Sequence, residues 1–169
     1  TLVNAYPEHV QGWYNLATVL HAQGELADAR EAWQRVLALA GHWAGAHANL
    51  GEVLMALGEP EAAMREFASA ANLQPDGVAH WRNLATAAES AGQLGHAVAA
   101  LERAVKLAED DSKLWRQLVS IRLQAHRAGG ERAMLAAAVS AWRRSLELQA
   151  DQTDLAQWIE VYGPAAEAD

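Results

Sequence analysis

The sequence predicts an all-α protein, a solenoid of stacked antiparallel helix pairs, and three observations carry that prediction. The first is repetition at a step of 34 residues: Trp13 is followed by His47, Trp81 and Trp115, Leu16 by Leu50, Leu84 and Leu118, and Gly24 by Gly58 and Gly92. A period of that length with two helical patterns per unit marks an array of repeats that bury their core between neighbours. The second is the apolar stripe within each unit, as in Trp13, Leu16, Ala17 and Leu20, which recur at i, i+3, i+4 and i+7. The third is composition: 51% of the 169 residues are hydrophobic and Ala is abundant, while aromatic residues make up 7%, a balance that favours helices.

Taken in order, residues 1–9 read as the end of a preceding repeat. Pro7 stands two periods before Pro75, with Gly41 between, and Leu2 and Val3 fall where the last turn of a helix would lie. The chain thus reads as cut from a longer array, or as opening on a half repeat. Residues 10–43 form the first full repeat, with helices expected at about 10–22 and 26–40. Gly24 closes the first helix and permits the reversal, and Leu26, Ala29, Trp33, Val36 and Leu37 form the stripe of the second. The small Ala29 allows close approach of the paired helix, and Trp33 fills the space beside it. Residues 44–77 repeat the template with Leu50, Gly51, Leu54, Ala63, Phe67 and Ala70. Pro60 opens the second helix there, where its missing N–H does no harm. Residues 78–111 repeat it again, with Trp81, Leu84, Ala85, Ala97, Leu101 and Ala104.

The fourth unit, residues 112–150, departs from the template. Trp115 and Leu118 are on schedule, but Ala138, Trp142, Leu146 and Leu148 arrive seven residues late, with Gly129 and Gly130 dividing the delay. About one extra turn on each helix keeps the facing stripes aligned, so this unit is expected to be a longer hairpin. Leu155, Trp158, Ile159 and Tyr162 then give one more stripe, read as a capping helix over 151–163 that Gly163 and Pro164 stop. Residues 164–169 are expected to be a frayed tail.

Charge and composition narrow the function. The 13 Lys and Arg are outnumbered by 21 Asp and Glu, and the formal charge of −8 argues against binding nucleic acid or an anionic membrane through counterion release. With no cysteine there is no disulfide framework and no thiolate nucleophile or zinc ligand. No apolar run approaches the roughly 20 residues needed to span a bilayer, so a soluble segment is expected, cytoplasmic or periplasmic. His9, His21, His42, His47, His80, His96 and His126 form no metal-type i, i+4 pair with an acid between. No Gly-rich phosphate loop or nucleophile motif is present. The expectation is a protein without enzymatic activity, cofactor or metal.

Trp13, Leu16, Ala17, Leu20, Gly24, Ala29, Trp33, Val36 and Leu39, with their counterparts one, two and three periods on, resemble the tetratricopeptide repeat family. The resemblance runs from about 10 to 148. It departs at His47, where Trp is usual, at Leu101, where an aromatic is usual, and in the stretched fourth unit. It implies helix pairs stacked into a right-handed superhelix, with the first helix of each pair lining a concave face that binds an extended peptide or a helix of a partner protein.

On that implied geometry the groove is lined by Tyr14, Asn15 and Thr18, by Asn49 and Glu52, by Arg82, Asn83 and Thr86, and by Lys113, Arg116 and Gln117. Asn15, Asn49, Asn83 and Gln117 fall one period apart. A side-chain amide both donates and accepts, so a column of amides suits capture of a peptide backbone regardless of its side chains. The column is similar to the asparagine ladder in the repeat domain of O-linked N-acetylglucosamine transferases; the other reading is that these amides meet only water. The carboxylate clamp of chaperone-binding family members fits poorly, because Tyr14 with Thr18 and Ala79 with Asn83 occupy its places. Arg82, Lys113 and Arg116 are suited to an acidic side chain or a carboxylate, or form a solvated surface. Trp43, at a turn between repeats, is a further aromatic candidate.

The sequence therefore points to a protein–protein interaction scaffold. Two alternatives stand beside it. One is the substrate-recognition or assembly module of a larger enzyme, such as a glycosyltransferase, or of a secretion or polysaccharide-export system. The other is self-association through an open N-terminal end.

Overall fold

The computed structural model describes residues 8–129 and 132–148, and among them there are eight α-helices and no strand. In chain order they are α1 (Val10–Gln23), α2 (Leu26–Leu39), α3 (Ala44–Ala56), α4 (Pro60–Leu73), α5 (Val78–Ser90), α6 (Leu94–Leu107), α7 (Ser112–Arg127) and α8 (Arg132–Leu148). The chain divides into two compact units between Ala91 and Gly92, a point inside the stretch read above as the third repeat. The expected segments at 1–7 and 151–169, the proposed capping helix included, lie outside the described residues, as does Gly130.

The first unit holds α1 to α5, and within it consecutive helices pack against one another. Two kinds of turn alternate. After α1, Gly24 takes the left-handed conformation, with φ 78°, and the Glu25 N–H reaches back to the Leu20 carbonyl at 3.0 Å. After α3, Gly58 has φ 77° and the Glu59 N–H reaches the Leu54 carbonyl at 2.9 Å. Both are Schellman closures, which satisfy carbonyls a helix end leaves open and which only glycine enters without steric cost. The other turn follows α2 and α4. Ala40 and Gln74 leave the helix with ψ of 63° and 80° while their N–H groups still bond the carbonyls of Val36 and Ala70, each four residues back.

The core of this unit consists of small residues set against a few large ones. Trp33 and Phe67 are 1% and 2% exposed, and Ala17, Ala29, Val36, Val53 and Ala63 are fully buried around them. Gly51 shows how close the helices come: a Cβ there would lie 2.7 Å from the Phe67 ring. The sequence places Trp13, Trp81 and Trp115 in core columns as well, but all three are half-buried. Two of these indole N–H groups reach an acceptor in the preceding turn. Trp81 donates to the Pro75 carbonyl at 2.8 Å, and Trp115, in the second unit, to the Glu109 carbonyl at 2.9 Å. In both cases the acceptor lies six residues back, in the turn before the helix.

His47, the departure from the repeat pattern, occupies the same register. Its Nε2 lies 3.1 Å from the Gly41 carbonyl, again six residues back, while Nδ1 lies 2.7 Å from Glu66 Oε2 on α4. A smaller ring keeps the tie to the turn and adds a link to the paired helix.

The second unit holds α6 to α8, with α7 packed on both α6 and α8. Asp111 caps α7 by accepting from the N–H groups of Lys113 and Leu114. With 16 and 17 residues, α7 and α8 exceed the 13 or 14 of the other helices, and Gly129 between them has φ 96°. Ala138, Val139 and Trp142 of α8 are buried, and Arg122 of α7 ties the unit together. Its guanidinium donates to the Ala137 carbonyl at 2.9 Å and to Glu102 Oε1 at 2.7 Å.

Two substitutions test this packing. Trp33→Ala removes the largest buried side chain of the first unit and is expected to destabilise it by about 3 to 5 kcal/mol in urea denaturation. Gly51→Ala drives a methyl into the Phe67 ring and is expected to cost about 1 to 3 kcal/mol; an unchanged midpoint would show that the ring can move aside freely.

Candidate functional site

In the first unit the candidate side chains lie along α1, α3 and α5. Their environments differ. Tyr14 is half-buried within an aromatic group: its ring meets Trp33 edge-on, with centroids 5.0 Å apart at 87°, and stacks on Trp43 at 4.8 Å and 15°. Tyr14 thus joins the core to the surface, and Trp43, just before α3, covers it. Asn15 is exposed, and its Oδ1 accepts from Gln11 Nε2 at 2.9 Å. Thr18 and Thr86 each donate their hydroxyl to a carbonyl of their own helix, Tyr14 at 2.9 Å and Arg82 at 3.1 Å, and keep only acceptor capacity for anything else.

Asn49 and Asn83 are half-buried and make no side-chain hydrogen bond among the described residues. That combination separates them from Asn15. A partly desolvated amide without a partner inside the protein has donors and an acceptor to offer outward. Glu52 and Arg82 are exposed and form no ion pair among the described residues. Other charges of this unit are already engaged: Arg30 pairs with Glu59 at 3.1 Å and Arg35 with Glu8 at 3.3 Å.

Glu52, Asn83 and Thr86 come together around a hollow of about 230 Å³, with Met55 and Phe67 completing its lining. The lining draws on three helices, α3, α4 and α5. Tyr14, Asn15, Thr18, Asn49 and Arg82 do not line it. Phe67 was expected only as a core residue; it is nearly fully buried, yet its ring faces this hollow.

In the second unit Lys113, Arg116 and Gln117 lie together on α7, with Ser120, around an open hollow of about 330 Å³. All four are exposed, and none forms an ion pair or side-chain hydrogen bond among the described residues. Two cations one helical turn apart with an amide and a hydroxyl beside them suit a carboxylate. Among the described residues, no group of three or more His, Asp or Glu side chains gathers as metal ligands, and no helix is long and apolar enough to cross a membrane.

Comparison with known proteins places this architecture. Family models of the tetratricopeptide repeat match residues 20–88 and 78–121, which together run from the end of α1 into α7. The chain belongs to the tetratricopeptide repeat family. Solved structures share this fold. YrrB, described as a protein of this family with an unusual peptide-binding site, is 23% identical with a TM-score of 0.73, over 91% of this chain and 76% of its own. MamA is 19% identical with a TM-score of 0.76, over 90% of this chain and 85% of its own. The type III secretion chaperone SycD of Yersinia enterocolitica, solved with a peptide of the translocator YopD, is 21% identical with a TM-score of 0.62, over 68% of this chain and 92% of its own. No curated protein matches the chain in sequence.

Because the Asn49 side chain has no hydrogen-bond partner among the described residues, Asn49→Ala is expected to shift stability by no more than about 0.5 kcal/mol. Thermal unfolding followed by circular dichroism checks this, and a large loss would make the amide a structural element.

Proposed function

We propose that this tetratricopeptide repeat chain is a non-catalytic protein–protein interaction scaffold that binds an extended segment of a partner protein along the face bearing Asn15, Asn49 and Asn83. The observation that carries the reading is the state of Asn49 and Asn83: half-buried, one period apart and without hydrogen bonds among the described residues. An extended peptide presents alternating N–H and C=O groups that such amides can pair, each pair contributing roughly 0.5 to 1.5 kcal/mol. Asn15 continues the spacing, and its amide remains exposed beyond its bond from Gln11. The peptide-binding descriptions of YrrB and SycD support the same class of ligand.

The second unit contributes a different chemistry. Lys113, Arg116 and Gln117 form a surface for a carboxylate, so an acidic side chain or chain terminus of the partner is the group that would engage it. With a formal charge of −8 the protein as a whole repels polyanions, which favours a protein partner over nucleic acid.

A pull-down from lysate of the source cell tests the reading, comparing the wild type with an Asn15→Ala, Asn49→Ala, Asn83→Ala variant. A partner held by the wild type and weakened about tenfold or more in the variant is expected, the sum of three lost hydrogen-bonding positions. Equal retention of the same proteins by both would move binding off this face.

A further inference from the structure

We infer that the hollow between α3 and α5 is a side-chain anchor site, and that the peptide it takes carries one Leu, Met or Phe next to a Lys or Arg. The inference rests on the peptide-binding reading above and adds to it the chemistry of the ligand.

Size sets the first constraint. At about 230 Å³ the hollow exceeds the roughly 150 Å³ that holds a benzene ring in an apolar cavity. It falls short of the roughly 300 to 1,000 Å³ of small-molecule pockets. One large apolar side chain is the group that fits between those limits. The lining sets the second: the Phe67 ring and the Met55 side chain are the apolar surfaces, and Met is the side chain best able to adjust to a guest.

Polar groups at the hollow fix how the guest arrives. Asn83 is half-buried, lines the hollow and has no hydrogen-bond partner among the described residues, so it is placed to pair the backbone of the residue whose side chain is inserted. The Thr86 hydroxyl gives its proton to the Arg82 carbonyl and can only accept from the guest. Glu52 brings a carboxylate without an ion pair, while Arg82, beside Asn83 in sequence, does not line the hollow. The uncompensated charge at the site is therefore negative, and a cation flanking the apolar residue is its complement.

The chain depends on Gly51 for this arrangement. Without a Cβ at that position the Phe67 ring approaches α3 within the space a methyl would fill, and Met55, one turn further along α3, also lines the hollow.

The test is panning of a displayed random 12-residue peptide library against the whole chain, followed by fluorescence anisotropy with the enriched peptides. Enriched sequences are expected to pair Leu, Met or Phe with an adjacent Lys or Arg. Met55→Lys should weaken them about tenfold or more, the loss of one buried apolar side chain. Glu52→Lys, at an exposed position where circular dichroism is expected to show the helix intact, should exchange the flanking preference from basic to acidic, and it decides the matter if Met55→Lys fails to fold. Peptides that depend on Asn15, Asn49 and Asn83 but lack the apolar anchor and ignore both substitutions would overturn the anchor and leave peptide binding standing. Failure to enrich any peptide sensitive to the triple asparagine variant would overturn both. Enriched sequences copying a stretch of this chain would reassign the hollow to a second copy.

Discussion

Within the two units, the reversals after α1, α3 and α7 each pass through one glycine with positive φ. Gly24, Gly58, Gly92 and Gly129 have φ values of 78°, 77°, 70° and 96°, and no non-glycine residue among those described takes that conformation. In the first unit this fixes where α1 and α3 end, and with it the register in which α2 and α4 return. Only with the register fixed can a small residue sit opposite a large ring, as Gly51 does against Phe67. The other turns contribute the complementary constraint, a carbonyl six residues before the Trp, in the turn that precedes its helix, that an indole N–H can reach.

Much of this was legible in the sequence because it follows from periodicity. The helix limits expected at 10–22 and 26–40 agree with α1 and α2 to within a residue, since Gly24 marks a stop that composition alone can show. The lengthening of α7 and α8 followed from counting residues to Gly129 and from the lateness of Trp142. The Asn positions could be read as a column, but their states could not. Asn15 is tied to Gln11, while Asn49 and Asn83 make no side-chain hydrogen bond among the described residues, and that difference depends on which neighbours rise beside each amide.

Features that join residues far apart in sequence were not legible. Nothing in the run around Tyr14 announces Trp43 as its stacking partner, 29 residues on. Likewise a motif cannot show that Phe67, a core residue by pattern, turns its ring toward a surface hollow shared with Met55 and Asn83. Trp81 and Trp115 are only partly buried and spend their indole N–H on a turn carbonyl, a tie that a purely apolar column does not show. His47 makes the same point in reverse. It breaks the aromatic pattern, yet it meets the same turn carbonyl and gains a carboxylate on the neighbouring helix.

Packing within each unit joins each helix to the ones that precede and follow it in sequence. The loops closed on folding are therefore short, and their entropic cost is small. A chain of this kind has low contact order and can fold quickly, in the submillisecond range found for helical proteins of local topology. Among the described residues of the first unit, the main helix packing is thus made with neighbours in sequence. During synthesis each helix meets its partner as soon as the next helix emerges, so the growing chain leaves little apolar surface uncovered while the ribosome is still at work.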